Sequence, residues 1–409
     1  MLTGEVINEI IGINENYEMP TKLMEILEDK EQREQMFDKF MEYETDLSYD
    51  WFTNYFQEEH ADRGKLKQDF TPNGIAEIVG EIGGHPYIVC DICSGTGGLT
   101  IKEWAKNKDA FFHCEEVASS TIPMLLFNLA IRGVNGEVVH CDVLENKTEC
   151  VYKLTNNGKY SDIEKTDTTE MKKADKVISN PPYSLKWSGG DINDIRSKEY
   201  GLAPKSKADF AFVLHGLYNL AEHATMLCIL PHGVLFRGAA EGKIRQKLIE
   251  NNIIDAVIGL PDKLFLNTSI PTCILVLRKK KTDNNILFID ASKEYKQGKR
   301  QNELTVDNVD KIVDTYEKRK NVDKYSHLVT LEEIKKNDFN LNIPRYVDTT
   351  EPEPLVNLAE VIQNLAKTEQ EIRNCEMELA GMLRNMYSTD GSKSKELEMA
   401  INFFKGVAK

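Results

Sequence analysis

Asn180, Pro181, Pro182 and Tyr183 follow the apolar run Val177-Ile178-Ser179. Two consecutive prolines remove two backbone donors and fix φ, so the chain leaves a strand in a stiff, extended turn. Asn180 then stands at the carboxyl end of that strand, where open α/β sheets bind their ligands. The turn presents a side-chain amide oxygen, a prolyl carbonyl and an aromatic face together. That set suits holding a planar base by an exocyclic amino group. The bland alternative is a turn that only ends a strand.

A second constellation lies upstream. Residues 87–92 read as a strand, Cys93-Ser94-Gly95-Thr96-Gly97-Gly98 as a glycine loop, and 99 to about 105 as a helix. Glycines let a backbone approach a ligand closely. This is not the dinucleotide fingerprint, because Thr100 holds the place of the third glycine. Asp91 at the strand end would also repel a pyrophosphate. A cationic ligand bearing an amino acid fits better, and S-adenosylmethionine has both features. Glu116, nineteen residues past Gly97, ends a second strand and suits a ribose diol. Asp142 ends a third strand, within reach of an adenine edge of the cofactor. Singly, each acid can be an ordinary turn residue. Three acid-ended strands in succession point to one ligand. Before the loop, Thr71 is placed to cap a helix over 74–81, with Pro72 early in it. Phe70 beside it is either structural or one wall of the cofactor pocket.

The elements that must hold these residues are legible as alternating strands and helices. After Asp142, residues 145–172 are polar and weakly patterned and read as an insertion or long loop, with Asn156-Asn157-Gly158 as a turn. Residues 184–207, with Trp187, Gly189, Gly190 and several lysines, read as a mobile loop able to cover a bound strand or as a solvated linker. A helix from 208 to about 223, a buried strand over 226–231, a helix over 242–251 and strands over 253–260 and 273–277 follow. The last two suggest an antiparallel hairpin at the sheet edge, and the basic run 278–281 reads as its solvated end. The organisation expected is an N-terminal helical domain (1–66), a catalytic core (67–283), an α+β extension (284–350) and a C-terminal helical arm (351–409). In the helical domain, Met36, Phe40 and Tyr43 share one face. In the arm, Leu358, Ile362, Leu365, Ile372 and Leu379 recur at 3-4 spacing over a long helix, a coiled-coil candidate for docking another subunit, before a polar break and a short final helix.

The chain has 409 residues and a net charge of −15. Residues 1–68 carry 17 acids and 7 bases, so the rest is only mildly acidic. Phosphate contacts must then come from local basic groups or from a partner. No apolar run is long enough to span a membrane. The acidic start lacks the pattern of a secretory leader, and cytoplasm is the expected compartment. Cys90 and Cys93 form a CxxC without a second pair, so no metal is expected.

Asp91-x-x-x-Gly95-x-Gly97, Glu116, Asp142 and Asn180-Pro181-Pro182-Tyr183 together resemble the amino-group DNA methyltransferases. Leu230-Pro231-His232-Gly233-Val234-Leu235-Phe236-Arg237, with Gly259-Leu260-Pro261, is similar to the modification subunit of type I restriction-modification systems. The resemblance covers roughly residues 65–346. It implies an α/β, doubly wound, seven-stranded S-adenosylmethionine-dependent methyltransferase fold with one antiparallel strand, and methylation of adenine at N6. It places Gln68, Phe70, Thr71 and Pro72 in a first cofactor motif, and Thr96, Gly97 and Gly98 in the glycine loop. Asp91 lies toward the methionine end, and Glu116 is the ribose acid. The partners implied are double-stranded DNA with a flipped adenine and a DNA specificity subunit, with room for a second modification subunit and a restriction subunit. Three other readings share these motifs: a stand-alone adenine DNA methyltransferase, a protein glutamine methyltransferase, and a non-catalytic binding module on the same scaffold.

Overall fold

A computed structural model describes residues 2–53, 55, 71–266, 268–349 and 357–407, apart from the side chains at 405 and 407. The chain divides into two compact units, Met1–Thr349 and Thr350–Lys409. The first opens with α1 (Gly4–Ile11), α2 (Met19–Glu28) and α3 (Lys30–Tyr43), then α4 (Asn73–Glu81). Strands and helices then alternate: β1 (Ile88–Ile92), α5 (Gly98–Lys106), β2 (Phe111–Glu116), α6 (Ile122–Ile131) and β3 (Asn135–Asp142). Next come β4 (Lys147–Asn156), β5 (Ser161–Thr166), β6 (Ala174–Ser179), α7 (Ile195–Lys198), α8 (Asp209–Asn219) and β7 (Leu220–Pro231). The unit continues with α9 (Ala239–Glu250), β8 (Ile254–Gly259), β9 (Thr272–Arg278) and β10 (Ile286–Asp290). It closes with the small hairpin β11 (Lys296–Gln297) and β12 (Asn302–Glu303), then α10 (Val306–Lys318), β13 (Ser326–Val329) and α11 (Leu331–Lys336).

One sheet runs in the order β13-β10-β8-β9-β7-β6-β1-β2-β3-β4-β5. Its central seven strands, from β8 to β3, are the expected doubly wound core. All are parallel except β9, which runs antiparallel to both β7 and β8. The central strands are short apolar runs, and β8 is buried at every residue. That is the composition of strands covered on both faces. The chain winds outward from β1 through β2 to β3, then returns to place β6 on the other side of β1. The carboxyl ends of β1 and β6 are therefore the topological switch point, where a crevice opens.

Two expectations are corrected at the edges. Residues 145–172 are largely not a loop: β4 and β5 form a hairpin that extends the sheet beyond β3. Their apolar signal is limited to Cys150, Val151, Tyr152 and Leu154 in β4 and Ile163 in β5, too little to show a period among polar neighbours. Asn156, Asn157 and Gly158 do form the turn, with Gly158 at φ 99°. The pair β8 and β9 is not a sheet edge either, because β9 slots between β7 and β8 and β10 continues the sheet beside β8. The basic run is solvated only in part, with Lys280 exposed and Arg278, Lys279 and Lys281 half-buried. Lys281 donates to the Ile254 and Asn285 carbonyls at 2.7 Å each, and Lys279 donates to the Leu220 carbonyl.

The N-terminal helices belong to the same core. All ten residues of α6 are buried, as expected of a helix covered all round. Phe127 of α6 meets Phe37, Phe40 and Phe52 with ring centroids 5.1, 4.7 and 5.0 Å apart. Tyr43, expected beside Met36 and Phe40, is instead 47% exposed at the end of α3. On the other side of β1, Lys176 of β6 is fully buried. Its Nζ pairs with Glu103 of α5 and donates to the Val79 carbonyl of α4 at 2.8 Å.

The second unit holds α12 (Leu358–Arg384) and α13 (Gly391–Val407), which pack on each other. The final helix is longer than expected. Asp390 accepts from the Ser392 backbone N–H and hydroxyl at 2.9 and 2.8 Å, which starts the helix inside the polar break. No helix among the described residues is long and apolar enough to cross a membrane.

Candidate active site

A cleft at the carboxyl ends of β1, β2, β3 and β6 brings together Gly95, Gly98, Glu116, Asp142, Thr71 and the whole 180–183 turn. Leu99, Val117, Val143, Leu144 and Phe212 supply apolar walls. Gly97 begins α5 at φ 95°, and a Cβ there would lie 2.9 Å from Leu125 Cδ1. Both the left-handed backbone and the close packing require glycine. At Gly98 a Cβ would meet nothing within 4 Å, so its absence leaves open space beside the cleft.

The acids at the strand ends are held by backbone amides. Glu116 accepts from Gly95, Val117 and Ala118 N–H at 2.9, 3.0 and 2.8 Å. Burial raises its pKa, and these three amides oppose the rise. Asp142 Oδ1 accepts from the Leu144 and Glu145 N–H at 2.9 and 3.1 Å, closing the turn after β3. Each carboxylate has about four acceptor positions, so these bonds orient the groups without exhausting them. Two oriented carboxylate acceptors, a small-residue loop and apolar walls form a set of groups that fits S-adenosylmethionine.

The turn is organised from both sides. Asn180 Nδ2 donates to Thr71 Oγ1 at 3.0 Å, and the Tyr183 hydroxyl donates to Asn180 Oδ1 at 2.8 Å. The carboxamide is thus oriented with its oxygen toward Tyr183. The Tyr183 ring meets Phe265 edge-on at 5.8 Å. Ser179 Oγ donates to the Ile92 carbonyl at 2.7 Å and ties the end of β6 to β1.

Several residues sit elsewhere than expected. Thr71 does not cap α4; Pro72 takes that position, and the Thr71 hydroxyl serves Asn180. Pro72 is not in this cleft wall and lines a neighbouring groove with Thr71. The Thr96 side chain is buried and donates to Asp50, away from the cleft. Asp50 also accepts from Asn128 Nδ2 at 2.7 Å and Thr53 Oγ1 at 2.6 Å. The N-terminal segment thereby props the glycine loop from behind, a role no local pattern signals. Asp91 lies under the loop, where it accepts from Thr100 Oγ1 at 2.6 Å. Burial, against that bond, pushes its pKa up to about 7. Gln68 and Phe70 lie outside the described residues. Phe212 of α8 was missed because its apolar helix offers no motif that separates a wall residue from core.

Glu115 borders the cleft and begins a buried polar chain. His113 bonds Glu137 Oε1 at 2.7 Å and Glu115 Oε1 at 3.3 Å, and Glu115 Oε2 bonds His215 at 2.8 Å. Cys90, His113 and Glu115 place potential ligand atoms within 4.8 Å of one another, but the imidazole and carboxylate already bond each other. Burial alone would lower the His113 pKa. Hydrogen bonds and charge from Glu115 and Glu137 outweigh it and raise the value to about 9. A raised histidine stabilises the fold fully below its ordinary value near 6.5 and loses that contribution as pH rises through the folded value. Urea melts of the wild type should therefore weaken between pH 6.5 and about 9, and His113→Gln should flatten that slope. Parallel profiles for the two proteins would count against the charged pair.

The sheet order and this cleft define the fold class of S-adenosylmethionine-dependent methyltransferases. Within that class the chain belongs to the N-6 DNA methylase family, whose sequence pattern matches residues 45–354. It is 33% identical over 299 residues to the type I restriction enzyme MpnII methylase subunit of Mycoplasma pneumoniae, covering 68% of this chain and 53% of that one. It is 30% identical over 353 residues to the HindI methylase subunit of Haemophilus influenzae, covering 81% and 75%. A solved type I restriction-modification methyltransferase subunit from Streptococcus thermophilus superposes with a TM-score of 0.61 at 40% identity, covering 68% and 59%. The chain spans about half the length of the Mycoplasma relative.

Proposed function

We propose that this chain is the modification subunit of a type I restriction-modification complex and methylates adenine at N6. The observation that carries the reading is a single cleft that joins the 180–183 turn to Gly95, Gly98, Glu116 and Asp142. The relatives named above are methylase subunits of such systems, which supports the assignment.

The target adenine must leave the duplex before its amino group can enter the cleft. Tyr183 stacks on the flipped base. Asn180 Oδ1 and the Pro181 carbonyl accept the two amino hydrogens, and the amino group competes with the Tyr183 hydroxyl for the Asn180 oxygen. These acceptors draw the nitrogen toward tetrahedral geometry and free its lone pair for in-line attack. S-adenosylmethionine, when bound, supplies the electrophilic methyl group. No general base is needed before attack, since the proton leaves the ammonium product. The turn acts by orientation and by acceptors aimed at developing positive charge.

Tritiated methyl transfer to unmethylated DNA, with and without the cognate specificity subunit, tests the reading. Nucleoside analysis should find the label in N6-methyladenine. Label in protein glutamine, or none at all, would reject it. Glu116→Ala should weaken cofactor binding at least tenfold by calorimetry, on the order of one lost charge-assisted bond pair. Unchanged affinity would remove the ribose role.

The net charge of −15 leaves little basic surplus for phosphate contacts and favours a separate specificity subunit as the reader of sequence. Its contact is the second unit. Leu358, Ile362, Leu365 and Ile372 of α12 are each more than half exposed, an apolar seam of the kind that docks on a partner helix. Deleting residues 355–409 should abolish co-purification with that subunit, and retention of the complex would refute the contact.

A further inference from the structure

We propose that Asp209 is a positioning residue for methyl transfer, holding the 180–183 turn in register through the backbone of Ser184. The inference rests on the function proposed above. Ser184, the residue after Tyr183, has φ 51°. A residue with a Cβ adopts that left-handed backbone only when its surroundings hold it there. Asp209 does so: its Oδ1 accepts the Ser184 N–H at 2.8 Å. Lys207 Nζ adds a bond to Ser184 Oγ at 3.2 Å.

The Asp209 carboxylate is itself clamped. It has no exposed surface, and its Oδ2 accepts from Arg237 Nη2 at 2.7 Å. Arg237 is fixed in turn by two bonds of 2.8 Å to the Glu241 carboxylate. Gly233 makes room for this guanidinium, since a Cβ there would lie 2.4 Å from Arg237 Nη1. The run from Leu230 to Arg237 and the start of α8, neither of which touches the base in the mechanism above, thus build one bracket behind the turn. The same bracket anchors the following loop, because the Ala208 N–H donates to the Leu185 carbonyl at 2.8 Å. A buried carboxylate with one oxygen on an arginine and the other on a backbone amide cannot shift without breaking a charge-assisted bond. Tyr183 and Asn180 inherit that rigidity directly, being one and four residues away.

The test compares Asp209→Ala, Asp209→Asn and Arg237→Ala with the wild type and Asn180→Ala, each assembled with the specificity subunit. Initial rates of tritiated methyl transfer give kcat and KM, and calorimetry gives cofactor affinity. Asp209→Ala should lower kcat by about 10²-fold, the cost of roughly 1 Å of misplacement at a reacting centre. Asp209→Asn keeps an oxygen for Ser184 and should recover much of the rate. Cofactor affinity should stay within about twofold throughout, as expected of an effect confined to the chemical step. If Asp209→Ala does not fold, Arg237→Ala decides, with a kcat loss at intact affinity. Wild-type kcat in Asp209→Ala or Arg237→Ala, or a rate loss matched by an equal loss of cofactor affinity, would overturn the proposal. Failure of the wild type to methylate adenine would strike the enzymatic reading instead. An active wild type and inactive Asn180→Ala, beside fully active Asp209→Ala and Arg237→Ala, would strike only the bracket.

Discussion

Asn180→Ala lowers methyl-transfer turnover by about 10²–10³-fold, the scale set by loss of one preorganised hydrogen-bonding group at a reacting centre. The geometry explains why so much hangs on one carboxamide. Its nitrogen is committed to Thr71 at 3.0 Å, which leaves its oxygen facing Tyr183 and the base site. Alanine removes an acceptor already aimed before the base arrives, and water entering the cavity would have to reorganise to replace it. Cofactor affinity should hold, because Gly95, Gly98 and Glu116 lie on the β1 and β2 side of the cleft. Single-turnover rates on unmethylated DNA measure the effect. Near-normal transfer by this variant would sink the role given to Asn180. Thr71→Ala, which frees the amide to rotate but leaves its oxygen, should cost less than Asn180→Ala in the same assay.

The largest expected effect on stability lies at Lys176→Met. Lys176 and Glu103 are both buried, and the pair ties β6 to α5 while Lys176 also holds the Val79 carbonyl of α4. Burial pushes the Glu103 carboxyl up to about 7 against the attraction of Lys176, and it pushes the Lys176 ammonium down. Removing one partner leaves an uncompensated charge in the core and should cost about 3–5 kcal/mol in urea melts. The double variant Lys176→Met with Glu103→Leu removes both charges and should recover most of that loss. A single variant within about 1 kcal/mol of the wild type, the scale of an ordinary surface pair, would show that the pair is not desolvated as described.

How far the chain could be read without coordinates differs from element to element. The α+β character of residues 284–350 was legible, because α10 and α11 start at threonine caps, Thr305 and Thr330, which are local features. The hairpin of β4 and β5 was missed for the opposite reason. An edge hairpin gains its hydrogen bonds from β3, and its own alternation is too brief to announce it. The position of β9 between β7 and β8 was also hidden, since strand order is a property of pairing and not of any one strand.

The same division holds at the cleft. Residue types and spacing alone marked the turn of Asn180, Pro181, Pro182 and Tyr183, the glycine loop and the acids Glu116 and Asp142, because rigid prolines, small residues and strand-end charges carry their chemistry locally. Only the tertiary structure decided that the Thr71 hydroxyl orients Asn180, that Thr96 turns from the cleft to Asp50, and that Asp209 and Arg237 brace Ser184 from behind. Thr71 is 109 residues from Asn180, and Thr96 is 46 from Asp50. A hydrogen bond across such a separation depends on how the sheet brings strand ends together, and the sequence around either partner contains no trace of the other.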